Sequence, residues 1–104
     1  FGYRPSFNPQ PLYDETADAV QSSGRIVEVN TSGLTYACAE LFPAPDLLRT
    51  FCRAGIPCSI GTDAHYPAVV DRNLMPGLAA MYEAGYRCVT VPTSTGDRRQ
   101  IALE

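Results

Sequence analysis

The chain has 104 residues, with eight arginines, no lysine and a net charge of −3, which leaves no basic face of the kind that nucleic acid requires. The length suits one domain with a core, not two, and 45% hydrophobic with 18% charged residues is ordinary for a globular protein. No apolar run approaches a transmembrane length and nothing reads as a signal peptide, so no membrane partner is expected and a cytoplasmic location is.

In chain order, the start at Phe1-Gly2-Tyr3 without an initiator methionine reads as the middle of something longer. Phe1 to Tyr13 holds Pro5, Pro9 and Pro11 and is expected to be irregular. Asp14 should cap a helix running to about Ser22, with Gly24 as its stop. Arg25 to Asn30 alternates strictly: Val27 and Val29 share the face expected under helices, and Glu28 and Asn30 share the other with Ile26. An edge strand with a solvated face gives the same pattern. Thr31 to Pro43 reads as a long connection rich in small residues.

Pro45 suits the first turn of a helix through about Ala54, stopped by Gly55, with Leu47, Leu48, Phe51 and Cys52 as its apolar stripe. Ile56 to Gly61 is a short apolar strand. A further helix is expected over about Ala68 to Ala84, with Leu74, Leu78, Met81 and Tyr82 on one face. Pro76 within it calls for a break near Asn73 or a late start. Arg87 to Val91 reads as a third strand, Pro92 to Arg99 as a polar turn region and Ile101 to Leu103 as a short tail strand. Strands separated by helices imply an α/β fold with a parallel βαβαβ segment: three parallel strands in a small open sheet or a slice of a barrel. Such a slice leaves edges bare and has to associate with something.

The cysteines Cys38, Cys52, Cys58 and Cys88 form no Cys-x-x-Cys pair and read as small buried hydrophobes, with a disulfide framework as the alternative. Asp63-Ala64-His65 carries the only histidine and directly follows the Ile56 to Gly61 strand. In extended chain, residues two apart project to one side, so Asp63 and His65 would aim a carboxylate and an imidazole at one point beyond a strand's carboxyl end. Those donors suit a divalent ion such as zinc, manganese or iron, although a catalytic centre needs at least one more protein ligand. A helix N-cap followed by a surface histidine fits the same tripeptide.

Three stretches, Glu28-Val29-Asn30-Thr31-Ser32-Gly33-Leu34, Glu40-Leu41-Phe42-Pro43 with Pro45 and Leu47-Leu48 behind it, and Gly61-Thr62-Asp63-Ala64-His65, resemble the carboxyl-terminal part of the PHP family of metal-dependent phosphoesterases. They look most like its histidinol-phosphatase branch, and Phe1-Gly2-Tyr3-Arg4-Pro5 is similar to the segment after one of that branch's metal-binding histidines. The resemblance implies a distorted (β/α)7 barrel with metals at the strands' carboxyl ends, and this chain as a portion of that single domain. Asp63 and His65 match the family's last metal-binding motif and are carried over as ligands. Asn30, Ser32, Glu40 and Arg72 follow as substrate-pocket candidates. Arg72 suits phosphate through its planar fork, and a solvated helix position is the plain alternative.

The family's amino-terminal His-x-His and its other histidine and glutamate ligands are absent here. The remaining part of the barrel is therefore an expected partner, and this chain alone should hydrolyse nothing at a useful rate. The reaction that the resemblance implies is L-histidinol phosphate plus water giving L-histidinol and phosphate, in histidine biosynthesis. Another PHP phosphoesterase acting on a nucleotide or other phosphate ester, and a non-catalytic α/β module binding a partner through its sheet edge, stand as alternatives.

Overall fold

The computed structural model describes residues 5–103, so all but Pro5 of the resembling opening segment lies outside the described residues. Helix α1 spans Gln10–Ser23 and begins ahead of the expected cap at Asp14. The prolines explain the correction. Pro9 is the N-cap and Pro11 lies in the first turn, where N–H groups have no intrahelical acceptor and proline's missing donor costs nothing. Asp14 instead accepts from Gln10 Nε2 at 2.8 Å, while Gly24 stops the helix as expected, with φ 69°.

Strand β1 (Val27–Asn30) pairs in parallel with β2 (Cys58–Gly61), Val27 opposite Cys58 and Asn30 opposite Gly61. Helix α2 (Pro45–Arg53) lies between them in sequence. Period-2 alternation puts Val27, Val29, Cys58 and Ile60 on one face, where they pack into a core with Leu48 and Met81. Glu28 on the opposite face is exposed. The expected division of β1 into an apolar and a polar face therefore holds.

Helix α3 (Leu74–Ala84) starts late rather than at Ala68. Thr62–Asn73 forms a loop with a single 3-10 turn at Pro67–Val69, and Pro76 falls in the first turn of α3, where its missing donor is tolerated. Met81 is fully buried, whereas Tyr82, expected on the same face, is 45% exposed.

Helices α2 and α3 end by the same device. Gly55 (φ 75°) donates to Cys52 O at 3.0 Å and Ile56 to Phe51 O at 3.1 Å; Gly85 (φ 115°) donates to Tyr82 O at 3.1 Å and Tyr86 to Met81 O at 3.0 Å. This paired six-to-one and five-to-two pattern requires a left-handed residue, which glycine supplies without strain, and it turns the next apolar residue inward. Those residues, Ile56 and Tyr86, are both buried, and the Tyr86 hydroxyl donates to Ile56 O at 2.8 Å.

The third strand departs from expectation. Strand β3 (Cys88–Pro92) packs beside β2, but its ladder runs antiparallel with β4 (Arg98–Ala102), so among the described residues the parallel sheet has two strands and not three. The reason is the short polar stretch after Pro92. Thr93 and Asp97 close a turn (Thr93 N to Asp97 O, 2.9 Å), with Gly96 at φ 87° taking the left-handed position that a three-residue hairpin loop needs. The tail strand thus begins at Arg98, not Ile101. All four cysteines are free thiols; Cys58 is buried, while Cys38, Cys52 and Cys88 are only half-buried, which corrects the expectation that all sit in the core. No helix among the described residues is long and apolar enough to cross a membrane.

Candidate functional site

At the end of β1, Asn30 Oδ1 accepts from Ser32 N at 2.9 Å and from Ser32 Oγ at 2.6 Å, capping a 3-10 helix at Thr31–Thr35. A backbone N–H can only donate, so this contact fixes which end of the amide is oxygen and turns Nδ2 away from Ser32. The asparagine main chain pairs with Phe42 (Asn30 N to Phe42 O 2.7 Å, Phe42 N to Asn30 O 3.2 Å), so residues 31–41 form a compact loop whose ends meet. Gly33 is needed inside it, since a Cβ there would stand 2.0 Å from Glu40 O. Glu40 itself is half-buried and Ser32 is buried.

At the end of β2 the extended-chain argument for Asp63 and His65 fails. Asp63 takes a left-handed φ of 53°, which breaks the alternation that would have put both side chains on one side. A different contact joins them: His65 Nδ1 lies 2.8 Å from Asp63 O. A carbonyl only accepts, so Nδ1 is the donor, and the neutral tautomer that matches this contact has its lone pair on Nε2. Both residues are exposed.

Arg72 lies in the loop before α3, not within a helix as expected. Its carbonyl accepts from Thr31 Oγ1 at 2.6 Å, and its guanidinium donates to Thr62 O at 3.1 Å, tying the two strand ends together. Arg72 Nε is buried without a hydrogen-bond partner among the described residues, and a buried guanidinium N–H without an acceptor is costly. Thr62 Oγ1 donates in turn to Val70 O at 2.9 Å, which folds this loop onto itself.

The strand ends thus bring together Asn30 with Ser32, Asp63 with His65, and Arg72 with both ends. Three contributors were not among the site candidates read from the sequence. Thr31 and Thr62 carry the hydrogen bonds that place Arg72, and no sequence pattern marks a threonine for that task. Glu28 has its carboxylate against Gly61, where a Cβ would come within 2.7 Å of Oε2. The signal for Glu28 was its alternation in phase with Asn30.

As a test of metal fit, His65 presents the geometry of a ligating histidine, with its second nitrogen bonded to a main-chain carbonyl, and Asp63 is open. Among the described residues, however, no group of three or more His, Cys, Asp or Glu side chains gathers to hold an ion. The donors present suit part of a centre.

Polar groups gathered beyond the carboxyl ends of parallel strands, with helices on one face of the sheet, are the arrangement of ligand sites in α/β proteins. Over 84 residues, 80% of this chain, the sequence is 37% identical to a Deinococcus radiodurans protein named "Probable histidinol-phosphatase". The match takes in 32% of that relative, so the chain spans about a third of the relative's length. A match of this extent in a chain of 104 residues necessarily includes Asn30 through Arg72. No protein-family model matches the chain.

Proposed function

We propose that this chain is one portion of a PHP-type barrel, a metal-dependent phosphomonoesterase whose substrate is L-histidinol phosphate and whose compartment is the cytoplasm. The observation that carries the reading is the 37% identity to a probable histidinol-phosphatase across a stretch that includes both strand ends. The exposed polar face bearing Glu28 and the two-stranded parallel sheet suit a wall of a larger barrel, to which the remaining barrel would add strands and ligands.

In this reading Asp63, through its carboxylate, and His65, through Nε2, would hold a divalent ion of zinc, manganese or iron. When bound, such ions supply charge neutralisation on the phosphate and acidify the attacking water. The chain's own groups do the positioning. Asn30 offers Nδ2 to a substrate oxygen, held by its two bonds from Ser32. Arg72 adds a fixed positive charge and an Nε–H, unpaired among the described residues, for a phosphate oxygen, braced by Thr31 and Thr62. Glu40 borders the pocket from the 31–41 loop.

The test is Asp63→Ala in the full-length protein, assayed by phosphate release from L-histidinol phosphate alongside metal content. Loss of a ligand to an ion worth several kcal/mol in the transition state should lower kcat/KM by about a thousandfold. The circular-dichroism spectrum should stay as in the parent, because Asp63 is exposed. Parental turnover in the variant would defeat the assignment.

A further inference from the structure

The loop that closes on Asn30 carries two aromatic side chains that its own packing does not use up. Tyr36 and Phe42 stack with ring centroids 6.4 Å apart and planes 28° off parallel. They nevertheless remain 49% and 40% exposed. Directly opposed residues of an antiparallel pair project to one face, so Phe42 lies on the same side of the sheet as Asn30. Asn30 in turn stands opposite Gly61, two residues before Asp63. Phe42, Asn30 and Gly61 thus form a row across three adjacent segments. Successive spacings put Phe42 roughly 10 Å from Gly61, comparable to the length of a small phosphate ester.

The ring of Phe42 is also held in place. A Cβ on Gly33 would lie 3.0 Å from Phe42 Cε2, so the edge of the ring rests against the glycine's backbone while the side chain stays 40% exposed. A stacked aromatic pair at one end of a polar row, with Asp63, His65 and Arg72 at the other, has the composition of a site for a ligand that is anionic at one end and flat at the other.

We infer that Tyr36 and Phe42 are a specificity platform, stacking the flat ring of a phosphate ester whose alcohol carries an aromatic heterocycle. The inference rests on the phosphatase reading and deepens it. Histidinol carries an imidazole and fits that class, whereas an open-chain alcohol gains nothing from the platform.

The experiment uses the full-length protein with Phe42→Leu and Tyr36→Leu, since leucine keeps apolar bulk against Gly33 while removing the ring. Two readouts are taken: the ratio of kcat/KM for L-histidinol phosphate to that for glycerol phosphate, and the affinity for L-histidinol itself by calorimetry. Stacking of a heterocycle on an aromatic side chain predicts a roughly tenfold fall in the ratio for Phe42→Leu and a similar fall in L-histidinol affinity. An unchanged ratio, or equal losses on both esters, overturns the platform while leaving the phosphatase reading standing. A parent protein that hydrolyses neither ester overturns the phosphatase reading; the calorimetric arm then decides the platform alone, with unaltered L-histidinol affinity in both variants counting against it.

Discussion

At the amino ends of β2 and β3 the polar groups turn inward onto one another, whereas at the carboxyl ends of β1 and β2 several turn outward. Around Ile56 and Tyr86 the two helix stops are cross-linked by the tyrosine hydroxyl, and Arg87 donates to the carbonyls of Tyr82 and Tyr86 at 3.1 and 2.9 Å. The same guanidinium covers the Tyr82 ring at 4.0 Å, completing the end of α3. Around Asn30 and Arg72, by contrast, the Arg72 guanidinium Nε is buried without an acceptor among the described residues, and Asp63 and His65 are exposed. Closed corners serve stability, and groups left with capacity to bind serve ligands. A domain with both should respond differently to mutation at each end.

The largest expected effect on stability lies at the closed end. Ile56 is 1% exposed and packs with Ala17 and Phe51, so Ile56→Ala should cost about 2–5 kcal/mol through lost burial and the cavity left behind. Denaturant unfolding of the full-length protein measures the loss. At a temperature where the variant is folded, kcat/KM for the proposed phosphatase reaction should match the parent, and a kinetic defect there would erase the contrast between the two ends.

Gly77→Ala sharpens the contrast from the other side. A Cβ at Gly77 would stand 2.7 Å from both Ile60 Cδ1 and Thr31 Cγ2. The isoleucine tip can move, but Thr31 is held by its 2.6 Å bond to Arg72 O. Overpacking of this kind costs about 1–3 kcal/mol, against which alanine regains about 1 kcal/mol of helix propensity. The net loss of stability should therefore be smaller than for Ile56→Ala. Because the displaced group holds Arg72, kcat/KM should fall as well, and a variant destabilised yet fully active would show that α3 does not brace the strand ends.

How much of this was legible in the sequence follows the range of the interactions. Gly24, Gly55 and Gly85 announced three helix ends, because a left-handed stop is a local requirement. The polar face of β1 was legible from alternation alone. The start of α1 was not, since a proline reads as a breaker until one knows that it sits in a first turn. The hairpin of β3 with β4 was missed because a helix–strand rhythm predicts parallel neighbours, while the decisive signal was one glycine in a polar stretch. At the site, residue types pointed to Asp63 and His65, yet their relation depends on a positive φ at Asp63 that no spacing rule reveals. Arg72 was a pocket candidate through the family resemblance and its phosphate-matching fork, and its bracing by Thr31 and Thr62 spans 41 and 10 residues of chain.

The closed end also carries a pH signature. Burial pushes the Cys58 thiol up from the ordinary 9.0 to about 12, and the same cause raises Tyr86 and Cys52. In each case the neutral form is favoured in the folded state. Below pH 9 the thiol is protonated in folded and unfolded chains alike, so its contribution is fully present. Above pH 9 the unfolded chain releases the Cys58 proton and the folded one keeps it, so stability drains away as pH rises toward about 12. One such group contributes a slope of about 1.4 kcal/mol per pH unit. Unfolding free energies measured at intervals from pH 8 to 11 should therefore fall more gently in Cys58→Ala than in the parent, by about that slope, with Tyr86 and Cys52 accounting for part of what remains. Parallel curves for parent and variant would mean that Cys58 does not keep its proton in the folded protein, and that the closed end is wetter than its packing implies.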